Sequence, residues 1–177
     1  MQQRILSFLL FFNMFGSVHC QVNSNQSTFS STILSSAKAM TSFFKSGDYS
    51  EYVKYLHPVI IQAAGGEAKM IELLNSQNVQ LKSKGIVINT IEFDVPTKIV
   101  KNKNELQCTI AQHTELKSAN GRVITHTTLI VISNDNGKTW KFVDTNNMDI
   151  VLLKKLFPNL SNEITLPPKE KPTVYSQ

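Results

Sequence analysis

The chain has 177 residues, with 18 Lys and Arg against 13 Asp and Glu, and a formal net charge of +5. This length suits one domain with its own core better than two domains. Apart from Arg4 and Arg122 the positive residues are all lysines, whereas a nucleic-acid-binding surface is expected to cluster arginines that contact phosphate or guanine. We therefore expect no nucleic-acid partner.

The N-terminus has the three-part layout of a secretory signal: the positive Arg4, an apolar run, and a short end of small and polar residues. The apolar run is too short to span a membrane. We predict a signal peptide over residues 1–20, cleaved before Gln21. The alternative, lipidation of Cys20, would need a small residue in place of His19. The mature chain is therefore expected to be secreted or periplasmic, without an integral membrane segment.

The first half of the mature chain has helical patterns. Residues 21–27 are polar, and we predict a flexible lead there, followed by a single domain over residues 28–166. From Thr28 the apolar residues recur every three or four positions, and this helix ends at Gly47. Further helices are predicted from the capping Asp48 to His57, from Pro58 to Ala64, and from Glu67 to Gly85.

After Gly85 the sequence becomes rich in β-branched residues that partly alternate with polar ones, as is typical of strands. The predicted strands are Ile86–Phe93, Thr97–Val100, a strand with Leu106, Cys108 and Ile110 on one side, Arg122–Ser133 after a turn at Asn120-Gly121, and Thr139–Val143 as the last. Arg122–Ser133 is apolar or threonine on both faces, which predicts a central strand covered on each side at least in part. A short helix over Met148–Phe157 follows. Residues 167–177 are predicted to be extended or disordered.

One short motif is specific. Ser133 to Trp140 reads S-x-D-x-G-x-T-W and resembles the Asp-box, the hairpin signature repeated in sialidase-type propellers. We predict a structural turn made by Ser133, Asp135, Gly137 and Trp140. A propeller needs several blades of roughly 40 to 50 residues, and the chain holds one copy of the motif. Calcium binding at Asp135 is disfavoured, because the final Glu of an EF-hand loop is missing.

Four segments carry a resemblance to a known superfamily. They are Gly47-Asp48-Tyr49, His57-Pro58, Gly65-Gly66 followed by Met70, and Lys138 to Asp144. With the order of helices and then strands, they resemble exported bacterial members of the NTF2-like (SnoaL-like) superfamily over roughly residues 28–157. The resemblance implies an α+β cone, in which N-terminal helices pack on a curved antiparallel sheet with a short C-terminal helix. It also implies a conical cavity between the sheet and the N-terminal helices, where ligands often bind.

Three side chains are candidates to line that cavity. His126 shares a strand face with Thr128 and could act as an acid or base at neutral pH; the alternative is a hydrogen-bonded structural histidine. Tyr52 and Tyr55 lie on one stripe of a helix and could offer hydroxyls to a ligand; the alternative is packing in the core.

The remaining reactive groups are expected to be structural. We predict that His57 is a cation at a helix terminus and that His113 is exposed. Cys108 is predicted to be a buried apolar filler. No catalytic residue, metal ligand or cofactor is assigned.

Two functions fit these features. The first is an exported, non-catalytic module that binds a small ligand or interacts with a protein. The alternative is a small-molecule isomerase or lyase that uses His126 as a base and Tyr52 or Tyr55 as its polar partner. The partner itself, a small molecule or a protein, is not identified by the sequence. A homodimer through the open sheet face is a further expectation, motivated by the two-sided apolar strand.

Overall fold

The computed structural model describes residues 19–146 and 148–176. These residues form an α+β structure, as predicted, in which N-terminal helices are followed by a curved, open, antiparallel sheet and a short helix near the C-terminus. The elements are α1 His19–Ser46, α2 Tyr49–Tyr52 with a 3-10 turn Val53–Tyr55, α3 Pro58–Ala63, α4 Glu67–Ser83, β1 Val87–Phe93, β2 Val100–Asn102, β3 Glu105–Ser118, β4 Gly121–Ser133, β5 Lys141–Asp144, α5 Ile150–Leu156 and β6 Thr173–Ser176.

Local capping explains where the short helices begin. The side chain of Asp48 accepts a hydrogen bond from the backbone N–H of Glu51 and caps α2, as its sequence position predicts. Pro58 occupies the first turn of α3, where a missing N–H is tolerated. The cap of α3 is His57, whose Nδ1 accepts from the N–H of Val59 at 3.3 Å.

The first helix is longer than predicted. Among the described residues it runs from His19 to Ser46 and includes residues 21–27, for which a flexible lead is predicted. The side chain of Gln26 holds the helix to the connection between β1 and β2: its Oε1 accepts from the N–H of Ile99 at 3.1 Å, and its Nε2 donates to the carbonyl of Thr97 at 3.3 Å. The predicted signal peptide lies outside the described residues, apart from its last two.

The sheet is built around the long hairpin of β3 and β4. Its strand order is β1-β3-β4-β5, with β2 also paired to β3 and β6 also paired to β4. β3 and β4 pair continuously from Leu106 opposite Ser133 to Ser118 opposite Gly121. Because β4 has partners on both edges, it is the central strand that its sequence predicts.

Each face of the hairpin is covered by a different layer. On one side, which we call the helix face, Cys108, Ile110, Leu129 and Val131 pack against the N-terminal helices. On the other side, the C-terminal face, Ile130, Ile132 and Val143 pack against α5 and the segment that follows it, with Leu153, Phe157, Leu160 and Ile164 buried. Since neighbouring residues of a strand point to opposite faces, these two layers explain why β4 is apolar on both sides.

A buried glutamine fixes the start of the C-terminal segment, by which we mean residues 157–176 after α5. Gln107 is fully buried on β3; its Nε2 donates to the carbonyl of Asn159 and its Oε1 accepts from the N–H of Ser161, both at 2.8 Å. The segment is therefore attached to the sheet by polar as well as apolar contacts.

The end of the C-terminal segment, where the sequence predicts an extended or disordered tail, contains the strand β6. β6 pairs with the first residues of β4, from Gly121 opposite Ser176 to Ile124 opposite Thr173, so the expectation that the strand before α5 is the last one is wrong. A Cβ on Gly121 would lie 2.1 Å from the carbonyl oxygen of Tyr175, and only glycine allows this approach. The guanidinium of Arg122 lies 4.3 Å above the Tyr175 ring, which adds a cation–π contact.

Candidate functional site

A cleft of about 310 Å³ lies on the C-terminal face of the sheet, next to the apolar core of that face. Its floor comes from the β3–β4 hairpin, one wall from the connection between β5 and α5, and its cover from the C-terminal segment before β6. The principal lining residues are Ala111, His113, His126 and Thr128 on the floor, Thr145, Met148 and Asp149 on the wall, and residues 166–170 in the cover.

Two histidines meet on the floor of the cleft. His113 on β3 and His126 on β4 are direct partners in the strand register. Their Nδ1 atoms lie 2.7 Å apart, and the rings stand nearly perpendicular, at 76°. The outer nitrogens point towards carboxylates of two other segments: Nε2 of His113 lies 3.0 Å from Oδ1 of Asp94, and Nε2 of His126 lies 3.9 Å from Oε2 of Glu170.

The hydrogen-bond partners determine which nitrogen of each histidine carries its proton when both rings are neutral. A carboxylate can only accept, so Nε2 of His113 carries a proton towards Asp94 and its Nδ1 has a free lone pair. The 2.7 Å contact then requires His126 to donate from its own Nδ1. Nε2 of His126 is left as the unprotonated nitrogen, and it faces Glu170 across the cleft. The Asp94–His113 pair thus orients the proton of His126.

The walls of the cleft are held by polar contacts and carry mainly negative charge. Thr145 donates from Oγ1 to the carbonyl of Thr128 at 2.7 Å, and Lys169 donates to the carbonyl of Asn146 at 2.6 Å. Asp149 accepts from the N–H of Leu152 and caps α5. Together with Asp94 and Glu170, Asp149 gives the cleft three carboxylates beside one lysine, Lys169. The chain as a whole has a positive net charge.

The predicted site residues are not brought together. Tyr52 and Tyr55 pack in the core of the helix face, with ring centroids 5.1 Å from Phe44 and 6.1 Å from Phe43, respectively. His126 lines the cleft on the opposite face, so the expectation that it opens towards the N-terminal helices is wrong. Burial raises the pKa of Tyr52, and the nearby charge of Asp144 raises it further. The sheet therefore separates the proposed base from both tyrosines.

Two of the other reactive groups are structural. His57 is buried and acts as the N-terminal cap of α3, so its predicted role as a cation at the end of a helix is wrong; burial lowers its pKa and favours the neutral, accepting ring. Cys108 is fully buried, and burial raises the pKa of its thiol to about 12. A thiol with such a pKa is unreactive at neutral pH.

The Asp-box-like residues form a closed turn between β4 and β5. Asp135 Oδ1 accepts from the hydroxyl of Ser133 at 2.7 Å and from the N–H of Thr139 at 2.9 Å, and Oδ2 accepts from the hydroxyl of Thr139 at 2.7 Å. These bonds lower the pKa of Asp135 to about 2. The Ser133 hydroxyl also accepts from the N–H of Gly137 at 2.9 Å. The carboxylate is thus engaged within its own turn.

Trp140 ties this turn to the first helix. It is buried, its Nε1 donates to the hydroxyl of Thr32 at 3.1 Å, and its ring stands edge-on to Phe29 with centroids 5.8 Å apart. The turn is therefore packed between α1 and the sheet.

Neither the family models nor the curated proteins compared with this chain give a match. Within residues 19–146 and 148–176, no three His, Cys, Asp or Glu side chains are grouped as a metal site. None of the helices in this described part is long and apolar enough to cross a membrane.

Proposed function

We propose that the protein is an exported, non-catalytic module that binds a small molecule in the cleft on the C-terminal face. The observation that carries this proposal is the cleft itself. Its volume of about 310 Å³ is near the lower end of ligand-binding pockets, which span roughly 300–1,000 Å³. Its lining combines apolar side chains, such as Ala111, Met148 and Leu166, with a few converging polar groups, and this combination is typical of sites that bind and orient a small molecule.

Export and superfamily membership belong to the same proposal. The three-part N-terminal sequence supports secretion or a periplasmic location. The order of helices and antiparallel strands supports the resemblance to NTF2-like proteins, although the cleft proposed here lies on the face away from the N-terminal helices. Fold alone does not determine function, so the proposed binding role rests on the cleft.

The homodimer remains a prediction with weaker support. The apolar residues of β4 that motivated it, such as Ile130 and Val131, are fully buried within a single chain. Light scattering of the purified protein measures the mass directly, and a monomer would remove this expectation.

A fragment screen tests the cleft. We expect small polar fragments to shift the backbone amide NMR signals of Thr128 and Thr145, and to lose affinity when Ala111→Leu narrows the floor. The control is Ala68→Leu, because Ala68 is exposed on α4, away from the cleft. Fragments that bind Ala111→Leu as well as the unmodified protein would contradict the proposal.

A second function is favoured by one observation, the chain of contacts from Asp94 through His113 to His126. When Asp94 and His113 hold the proton of His126 on its Nδ1, the outer nitrogen Nε2 of His126 is unprotonated and can act as a base. His126 could then remove a proton in an isomerase or lyase reaction, with a cleft hydroxyl such as Thr128 in place of the distant tyrosines. The test is deuterium exchange into simple 1,3-dicarbonyl compounds in D2O. Exchange no faster than in buffer, or equally fast with His126→Gln, would reject this function.

A further inference from the structure

The two inner nitrogens of the histidine pair lie slightly closer together than two nitrogens bound to one metal ion. Zn²⁺ and similar ions bind imidazole nitrogen at about 2.0–2.1 Å. Two such bonds at angles between 90° and the tetrahedral value require nitrogens about 2.9–3.4 Å apart. The Nδ1 atoms of His113 and His126 are 2.7 Å apart, and both side chains are partly exposed, at 32% and 28%. Small ring rotations can therefore open the gap to the distance that a metal needs.

The outer nitrogen of each histidine faces a carboxylate, and that of His113 has the surroundings of a metal-bound histidine. A histidine that binds a metal through one nitrogen commonly donates from the other to a carboxylate, which fixes the ring and makes it a better ligand. Here Asp94 lies within hydrogen-bond distance of Nε2 of His113, at 3.0 Å, and Glu170 lies 3.9 Å from Nε2 of His126, which is too far for a hydrogen bond but close enough for charge attraction. A hydrogen bond between the two rings alone would require neither carboxylate, and these two come from separate segments of the chain.

We propose that Nδ1 of His113 and Nδ1 of His126 bind one divalent transition-metal ion of the kind that prefers imidazole, such as Zn²⁺ or Cu²⁺. Binding requires a lone pair on both inner nitrogens. The proton between the rings therefore leaves Nδ1 of His126, and Nε2 of the same ring carries a proton instead, facing Glu170. The two remaining coordination positions are taken by water or by a molecule in the cleft.

This inference concerns the same cleft as the proposed function but stands without it. Two imidazoles can bind a metal whether or not an organic ligand enters, and an organic ligand can bind the cleft without a metal. Fragment binding to protein treated with a chelator tests only the proposed function, whereas metal titration without fragments tests only the metal site.

The experiment is a calorimetric titration of the untagged protein with ZnCl₂ and, separately, CuCl₂ at pH 7.5. We expect one ion per chain. His113→Gln and His126→Gln should each weaken binding at least tenfold, and Asp94→Asn should weaken it by roughly 10- to 100-fold, as is usual for carboxylates that support a ligand. The matched control is His57→Asn, which removes another histidine while keeping an acceptor for the helix cap; it should leave metal affinity unchanged.

A spectroscopic readout separates coordination from a structural effect. Copper bound at this site should show hyperfine coupling to two imidazole nitrogens, and each glutamine variant should lose it while keeping the circular dichroism spectrum of the unmodified protein. Absence of binding by the unmodified protein would overturn the proposal. So would binding that survives both glutamine substitutions, because the ion would then lie elsewhere.

Discussion

Gly137 offers the sharpest test of how the Asp-box-like turn packs. Its backbone has φ +84°, a region that side chains other than glycine rarely adopt, and a Cβ at this position would lie 2.4 Å from the Phe29 ring. Gly47 has nearly the same φ, +81°, but a Cβ there would meet nothing within 4 Å. Comparing Gly137→Ala with Gly47→Ala therefore separates the cost of the clash from the cost of the backbone conformation.

The magnitudes follow from these two contributions. A left-handed residue other than glycine costs roughly 1–2 kcal/mol, and both variants incur this. Carbon atoms normally approach to about 3.5–4.0 Å, so Gly137→Ala must also displace Phe29, which stands edge-on to Trp140 at 5.8 Å. Aromatic pairs of this kind contribute about 0.5–1.5 kcal/mol. We expect Gly137→Ala to be less stable than Gly47→Ala by about 1–2 kcal/mol.

Urea unfolding followed by circular dichroism measures this difference, and the fluorescence of Trp140 reports on its cause, because the chain has a single tryptophan. The emission of Trp140 should change in Gly137→Ala and not in Gly47→Ala. Adding Phe29→Leu should then cost less in the Gly137→Ala background than in the unmodified protein. Equal destabilisation by the two glycine substitutions, or full additivity with Phe29→Leu, would refute the packing argument.

Three further predictions concern the turn, the C-terminal segment and the N-terminus. Asp135→Ala should lower stability by about 1–2 kcal/mol at pH 7, since the turn loses the carboxylate that accepts hydrogen bonds from Ser133 and Thr139, while fragment binding in the cleft is unchanged. Because the folded-state pKa of Asp135 is lowered from 3.8 to about 2, its contribution should be complete above pH 4 and disappear as the pH falls through 2; an acid-unfolding curve identical in the variant would contradict this. Gln107→Leu should expose the C-terminal segment to proteolysis, because the N–H of Ser161 loses its acceptor and the carbonyl of Asn159 keeps only the donor from Asn102; Gln112→Leu, which breaks a hydrogen bond to one nearby side chain, is the control and should not. Expression in a Gram-negative host should yield periplasmic protein whose first residue by mass spectrometry is Gln21, and an uncleaved cytoplasmic chain would reject the signal peptide.

The elements that the sequence predicts well are those that local chemistry determines. Asp48 caps α2 and Pro58 begins α3 in the structure, because a cap and a proline act within one turn of the chain. β6 could not be predicted in this way. Thr173–Ser176 follows a proline- and lysine-rich stretch, and its strand conformation comes from pairing with an edge of β4 that exists only in the folded sheet.

The face of the sheet that carries His126 was predictable, but its cover was not. Alternation correctly places His126 on the same side as Ile130. Both sides of β4 are apolar, however, so alternation contains no information about which layer covers which side. The resemblance assigned the cavity to the N-terminal helices, whereas α5 and the C-terminal segment cover the side where His126 lies.

The histidine pair depends on the register of one hairpin. In the structure the turn between β3 and β4 is Ala119-Asn120, and this places His113 opposite His126. A two-residue turn one position later, at the predicted Asn120-Gly121, would instead place His113 opposite Thr128, and the two imidazoles would not meet. Register in a hairpin is set by its turn. The sequence therefore contained a signal for the pair: His113 and His126 are equally far along the chain from Ala119-Asn120. The contact between β6 and Gly121 favours the turn at Ala119-Asn120. It requires glycine at the first position of β4, and a turn at Asn120-Gly121 would place this glycine inside the turn instead.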